Sequence, residues 1–226
     1  MATIEIDGKT VDVENGKMII EVADELGIYI PRFCYHKKLS VAANCRMCLV
    51  SVENNRKTVP ACATPITNGM KVFTKSKEAI QSQAAVMDFL LINHPLDCPI
   101  CDQGGECELQ DVSMGYGRDA SPYDESKRAV SSDDIGPLIA MEMTRCIHCT
   151  RCVRFGDEVA GLPELGGIGR GEDMQISTYI KHSVASEVSG NVIDLCPVGA
   201  LTSKPYRFTA RAWEMTQHNS IAPHDC

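Results

Sequence analysis

A chain of 226 residues, 44% of them hydrophobic, has the length for one large domain or two to three small ones, with enough apolar material for packed cores; global disorder is excluded. The formal charge of −8 and pI near 5.3 argue against a nucleic-acid partner, which needs concentrated Lys and Arg, and an aromatic content of 5% leaves little for base stacking. Twelve cysteines are too few for a small disulfide scaffold and far more than an ordinary intracellular enzyme needs, so something binds or oxidises them.

The first residues, Met1 to Asp7, lack the basic stretch and apolar core of a signal peptide and the Arg-rich pattern of a transit peptide. A reducing compartment is expected, where closely spaced cysteines are metal ligands or redox groups more often than bridges. Residues 3–6 and 10–14 alternate like two short strands about a Gly8-Lys9 turn, with Asn15-Gly16 after them, which predicts a hairpin. From Met18 to Leu26, the side chains of Ile19, Val22, Ala23 and Leu26 fall on one helical face, and Gly27 is placed to end it. A hairpin followed by a helix opens a β-grasp domain; Cys48 to Val52 and Lys71 to Thr74 read as the later strands of a small ferredoxin-like sheet. Lys37-Lys38 reads as a solvated turn.

From Lys77 the pattern changes, with Ile80, Ala84, Met87 and Leu91 on one stripe of a helix that Pro95 must end. The longest apolar run, Ala84 to Ile92, contains Asp88 and is far shorter than the ~20 residues a membrane helix requires, so no span is expected. Polar sequence from Arg118 to Asp134 reads as a long surface connection, and a third unit begins near Ile135. Within it, Gly166 to Gly171 does not fit the dinucleotide fingerprint; no strand is expected before it and the run reads as a turn.

Three sets of ligand-type residues punctuate these elements. The first is Cys34, Cys45, Cys48 and Cys62, spaced C-x10-C-x2-C-x13-C, its middle pair at the mouth of a strand where backbone N–H groups can point at sulfur. Plant-type ferredoxins use C-x4-C-x2-C with a distant fourth cysteine on the same frame, so a 2Fe-2S cluster and a four-cysteine zinc site both remain open here. The second is His94, Cys98, Cys101 and Cys107, spaced H-x3-C-x2-C-x5-C. Three cysteines leave a 4Fe-4S cubane one ligand short, and a histidine placed by Pro95 can supply the fourth; zinc would accept the same four. The third is Cys146, Cys149 and Cys152 with the remote Cys196-Pro197, the spacing by which bacterial ferredoxins wrap a cubane; zinc sites favour two separated pairs over so tight a triple. His148 inside that triple reads as a supporting or solvated residue, and Cys226 as a free thiol or the edge of a longer protein.

Taken together, these runs resemble the large iron-sulfur subunits of respiratory complex I, the 75 kDa or G subunits of NADH-quinone oxidoreductase. The matching stretches are Pro31 to Tyr35 with Asn44 to Cys48, Cys98 to Gln110, Met143 to Phe155, Gly171 to Ile176 and Asp194 to Tyr206. The resemblance implies an α+β chain: a 2Fe-2S ferredoxin-type β-grasp domain over 1–78, a small 4Fe-4S unit with one His and three Cys ligands over 79–118, and an all-Cys, bacterial-ferredoxin-like 4Fe-4S domain over 119–214. Residues 215–226 would open a molybdopterin-oxidoreductase-like region. It implies one 2Fe-2S cluster on the first set and two 4Fe-4S clusters on the second and third, hence three clusters on eleven cysteines and His94, with no catalytic residues. The implied role is electron relay from the flavin-bearing NADH subunit toward quinone, among the other peripheral-arm subunits, on the cytoplasmic face of a bacterial inner membrane or the mitochondrial matrix side. Equivalent subunits of soluble NAD-linked hydrogenases and formate dehydrogenases are also similar, but Gly171 to Ile180 and Pro197 to Lys204 favour complex I. In one departure, Ala43 stands where many members have Gly.

Overall fold

In the computed structural model, which describes residues 1–216 and 218–221, the alternating amino-terminal segments pair as β1 (Ala2–Ile6) and β2 (Lys9–Val13), in register from Ala2 opposite Val13 to Ile6 opposite Lys9. The helix α1 (Ile19–Glu25) ends where Gly27 takes a φ of +70°. There the Gly27 amide donates to Asp24 and the Ile28 amide to Ala23, at 3.1 and 2.8 Å, a closing pattern that a residue without Cβ adopts at least cost. β3 (Leu49–Val52), β4 (Val59–Pro60) and β5 (Met70–Phe73) complete a five-stranded sheet of order β2-β1-β5-β3-β4. Its one parallel pair is β1 with β5. The α1 side chains Ile19, Ile20, Val22 and Ala23 are fully buried with Ile4, Ile6, Val50 and Val72 of the sheet, each large one contributing about 1.5–3 kcal/mol.

The helix α2 (Lys77–Ile92) is capped by the Ser76 hydroxyl, which accepts from the Ala79 amide, and it lies back on the sheet through Gln83 Nε2 donating to the Leu49 carbonyl at 2.9 Å. α3 (Glu108–Tyr116) follows, and then residues 118–134 run without regular structure. That connection is tied down: Lys127 Nζ donates to the last α2 carbonyls, Leu91 and Ile92, where a cation also opposes the helix dipole. The rest comprises β6 (Ile139–Met141), α4 (Arg151–Glu158), β7 (Leu165–Ile168), β8 (Gln175–Thr178), α5 (Asn191–Leu195) and β9 (Leu201–Ser203). Two antiparallel ladders, β6–β9 and β7–β8, brace it.

The glycine run departs from the turn expected of it. Gly166, Gly167 and Ile168 belong to β7 and pair with Ser177, Ile176 and Gln175; the turn starts only at Gly169. Residues without side chains show no alternation, so the partner strand alone reveals the ladder.

The interior forms two apolar clusters. One fills the space between α1 and the sheet and includes Cys48 and Cys62. The other is continuous across positions 78 and 118: Phe33, Cys34 and Met47 pack with Met87 of α2, Cys107 and Leu109 of α3, and Met143, Cys149, Cys152 and Leu201. No helix among the described residues is long and apolar enough to cross a membrane. Cys226 and half of the segment expected to open a further region, 217 and 222–226, lie outside the described residues.

Candidate metal centres

All eleven described cysteines are free thiols, and they gather in the three sets that spacing groups together. Among the described residues no three Cys, His, Asp or Glu side chains close on a single ion-sized point.

In the first set, Cys45 and Cys48 sit on the loop entering β3, and Cys62 follows β4. Ala43 and Arg46 hold left-handed backbone, φ +51° and +59°, which turns the loop sharply and costs roughly 1–3 kcal/mol for each non-glycine residue. The same φ explains why glycine suits position 43. The Cys34 amide points at Cys45 Sγ, at 3.4 Å. The Cys45 and Cys62 thiols donate to Cys34, holding the Cys34 thiol down to about 2 while Cys45 and Cys62 are pushed up; Cys48 is lowered in turn by Cys62. The four sulfurs thus form one hydrogen-bonded group in which Cys34 and Cys48 are favoured as thiolates and Cys45 and Cys62 as thiols.

The second set surrounds a cavity of about 280 Å³, lined by His94, Cys98, Cys101 and Cys107 together with Gly104, Arg145 and Gly199. Residues 118–122 of the long connection form part of its wall. His94 follows the end of α2, and burial, Lys127 and Arg145 hold its imidazole down to about 4, so the ring is neutral at pH 7. Its Nδ1 is buried without a hydrogen-bond partner, an orphaned lone pair of the kind a metal satisfies. Cys107 is pushed up by burial, and amides of Gln110 and Leu109 point toward its sulfur.

In the third set, Cys146, Cys149, Cys152 and Cys196 all line one small closed cavity with Met143, Ile147, Ile176 and Val198. The triple alternates its backbone: His148 and Thr150 are left-handed, φ +53° and +61°, so that amides between the cysteines face sulfur rather than a helix. The His148 amide reaches Cys146 Sγ at 3.4 Å, and those of Arg151 and Val153 approach Cys149 and Cys152. Burial pushes Cys146, Cys149 and Cys196 up to about 11 and Cys152 well up. Isolated buried thiolates would not persist there; bound to iron, whose charge offsets theirs, they would. The donor sets therefore fit iron-sulfur clusters: sulfurs ringed by N–H groups, an unpartnered imidazole nitrogen, and a glycine where a cavity wall must come close. His148 itself pairs its Nε2 with the Met174 carbonyl at 3.0 Å.

Sequence models of three families match in chain order. They are a 2Fe-2S iron-sulfur cluster binding domain over residues 1–77, the NADH-ubiquinone oxidoreductase-G iron-sulfur binding region over 83–122, and the ferredoxin-like domain of NADH-quinone oxidoreductase subunit 3 over 136–202. The NADH-ubiquinone oxidoreductase 75 kDa subunit of Reclinomonas americana is 57% identical over 225 residues, 100% of this chain and 33% of that protein. The mitochondrial 78 kDa subunit of Neurospora crassa is 58% identical over 218 residues, covering 96% of this chain and 29% of that protein. Over 96–100% of its length the chain is similar to part of the large iron-sulfur subunits of complex I. The G subunit of Rickettsia typhi NADH-quinone oxidoreductase, 49% identical over 225 residues, covers 100% of the chain and 33% of its own length. The chain thus spans about a third of the length of the complex I subunits it matches. Among solved structures, an NAD+-reducing NiFe-hydrogenase in its H2-reduced state superposes with a TM-score of 0.83 at 27% identity, covering 92% of this chain and 90% of that one.

Several residues bear on the three sets without belonging to them. Arg211 donates from Nη1 to the Cys101 carbonyl and from Nη2 to that of Pro99, clasping the second loop. Gly199 lies so close to Cys101 that an added Cβ would overlap its Sγ. Arg154 donates to the Cys34 and Cys149 carbonyls, joining the first and third sets. Gly199 and Arg154 signal themselves in the sequence only by proximity to cysteines, which solvated arginines and turn glycines share, and Arg211 has no such signal.

Proposed function

We propose that this chain is an electron-relay subunit of NADH-quinone oxidoreductase, passing electrons from the NADH/FMN subunit toward quinone, peripheral on the cytoplasmic face of a bacterial inner membrane or its matrix equivalent. Cys34, Cys45, Cys48 and Cys62 would hold a 2Fe-2S cluster; His94, Cys98, Cys101 and Cys107 a 4Fe-4S cluster; and Cys146, Cys149, Cys152 and Cys196 a second 4Fe-4S cluster. The ligand-bearing units would be 1–78, 79–118 and 119–214, with 215–226 opening a further region. When bound, such clusters supply one-electron transfer. The chain's own residues bring the ligand loops of the three sets into contact with one another. The carrying observation is that the sets are bonded together: Asn44, beside Cys45, donates to the His148 carbonyl at 3.0 Å, and Arg145, beside Cys146, donates to the carboxylate of Asp97, beside Cys98, at 3.1 Å.

Anaerobically reconstituted protein is expected to be brown, with about ten iron and ten acid-labile sulfide per chain. Six or fewer of each would remove one cubane, and stoichiometric zinc without sulfide would replace the scheme altogether. The hydrogenase likeness supports an equivalent part in a soluble NAD-linked enzyme, but identities of 49–58% to complex I subunits outweigh 27%. Co-purification with membrane subunits rather than with a hydrogenase decides between them.

The isolated chain is expected to bind no NADH. Its glycine run is spent on β7 and a tight turn, not on a strand-to-helix loop whose amides face a pyrophosphate. Saturable micromolar binding in a calorimetric titration would overturn the relay-only reading.

A further inference from the structure

Arg151, the first residue of α4, is 5% exposed and lies beside Cys152, yet every group its guanidinium reaches belongs to another part of the chain. Nη1 and Nη2 fork onto the Glu108 carboxylate at 3.0 and 3.2 Å. Nη1 also reaches the Leu195 carbonyl at 3.4 Å, and Nη2 the Tyr35 carbonyl at 3.2 Å. Tyr35 follows Cys34, Glu108 follows Cys107, and Leu195 precedes Cys196. One cation therefore bonds a sequence neighbour of a ligand in all three sets. Arg154 bridges only the first and third.

Its charge balance is incomplete within the protein. The Arg151 side chain is 6% exposed while that of Glu108 is 48% exposed, and Arg151 Nε is buried with no acceptor. A buried guanidinium with one half-solvated counter-ion bears a desolvation cost that this single pair offsets only in part. Clusters on four thiolates carry net negative charge, and one-electron reduction makes them more negative, so a fixed cation beside them favours the reduced form.

We propose that Arg151 is a positioning residue common to all three sites: its hydrogen bonds hold the first and second ligand loops against the third, and its charge stabilises the reduced form of the cluster on Cys146, Cys149, Cys152 and Cys196. The proposal rests on the iron-sulfur reading above. It gives opposite signs for the two ends of one ion pair. Arg151→Gln removes the cation and disfavours reduction, whereas Glu108→Gln removes the opposing anion and favours it. Arg151→Lys keeps the charge without the fork.

The test is an EPR-monitored redox titration of the full 226-residue chain, reconstituted anaerobically, with iron and sulfide counted in each sample and the third cluster's signal assigned by its loss in Cys149→Ser. In Arg151→Gln the reduced-to-oxidised ratio of that cluster at a fixed potential should fall about tenfold, a midpoint lower by about 59 mV. Arg151→Lys should recover most of that shift, and Glu108→Gln should move the midpoint upward. If Arg151→Gln loads incompletely, Glu108→Gln decides: an upward shift supports the role, and an unchanged or lower midpoint overturns it. A loaded Arg151→Gln with unchanged midpoints also overturns it. A wild-type chain without iron and sulfide would sink the iron-sulfur reading and this one together; a loaded wild type with unresponsive variants sinks this one alone.

Discussion

Replacing His94 with alanine is expected to strip the second site of its fourth ligand, while replacing it with cysteine should keep a cubane and lower its potential. The ring is neutral at pH 7, because burial and the cations Lys127 and Arg145 hold its pKa near about 4. It therefore brings a lone pair and no charge, where a thiolate would bring a negative one. A site less negative by one charge accepts an electron more readily. In Rieske centres two histidines on one iron raise the potential by several hundred millivolts, so one histidine should contribute on the order of 100 mV, less whatever burial and hydrogen bonds mask. In His94→Ala the fourth iron is left to solvent and the cluster becomes labile. Redox titration followed by EPR checks both variants. Unchanged spectra and potentials for every cluster in His94→Ala would leave His94 a helix-end residue, and the second site would need another fourth ligand.

Gly199→Ala is expected to cost the same cluster by a different route. The added Cβ would overlap Cys101 Sγ and stand 3.1 Å from the Gln103 Cβ. A cysteine free of iron can rotate away from such an intruder, but a cysteine bound to a cluster cannot, so the conflict falls on loading rather than on folding. The variant should fold and hold about six iron and six sulfide per chain instead of about ten. Its circular dichroism should stay close to wild type. Full loading with an unshifted potential would show that the loop after Cys196 yields easily and that the close approach has no bearing on the cluster.

The three candidate sets stand out because metal chemistry favours local spacing: Cys146, Cys149 and Cys152 fall at intervals that one polyhedron could use, and nothing about distant structure is needed to see it. The hairpin and the ends of α1 and α2 were legible for a similar reason, since alternation, Gly27 and Pro95 act within a few residues of themselves. Most of what escaped depends on residues far apart in the chain. Gly199 matters through Cys101, on a distant loop. β7 escaped for a local reason, since its paired glycines carry no side chains that could alternate. Arg145, Arg151 and Arg154 look from sequence like solvated charges flanking cysteines. Their burial and their long-range acceptors, Asp97, Tyr35 and Cys34, come from the packing of one ligand loop on another.

Among the described residues, four of the eight non-glycine residues with positive φ, Ala43, Arg46, His148 and Thr150, stand within the first and third candidate loops, and Cys34, Cys107, Cys149 and Cys152 are themselves part of the large apolar interior. On the proposed reading, clusters gripping these sulfurs would offset that backbone strain, and the fold would draw part of its stability from its cargo. By mass action, a ligand at a hundredfold excess over its dissociation constant adds about 2.7 kcal/mol to the state that binds it. Were iron or sulfide to run short, that increment would vanish and the strained loops would lose their support. The supply of iron would thereby become a checkpoint on how much of this chain survives to be assembled.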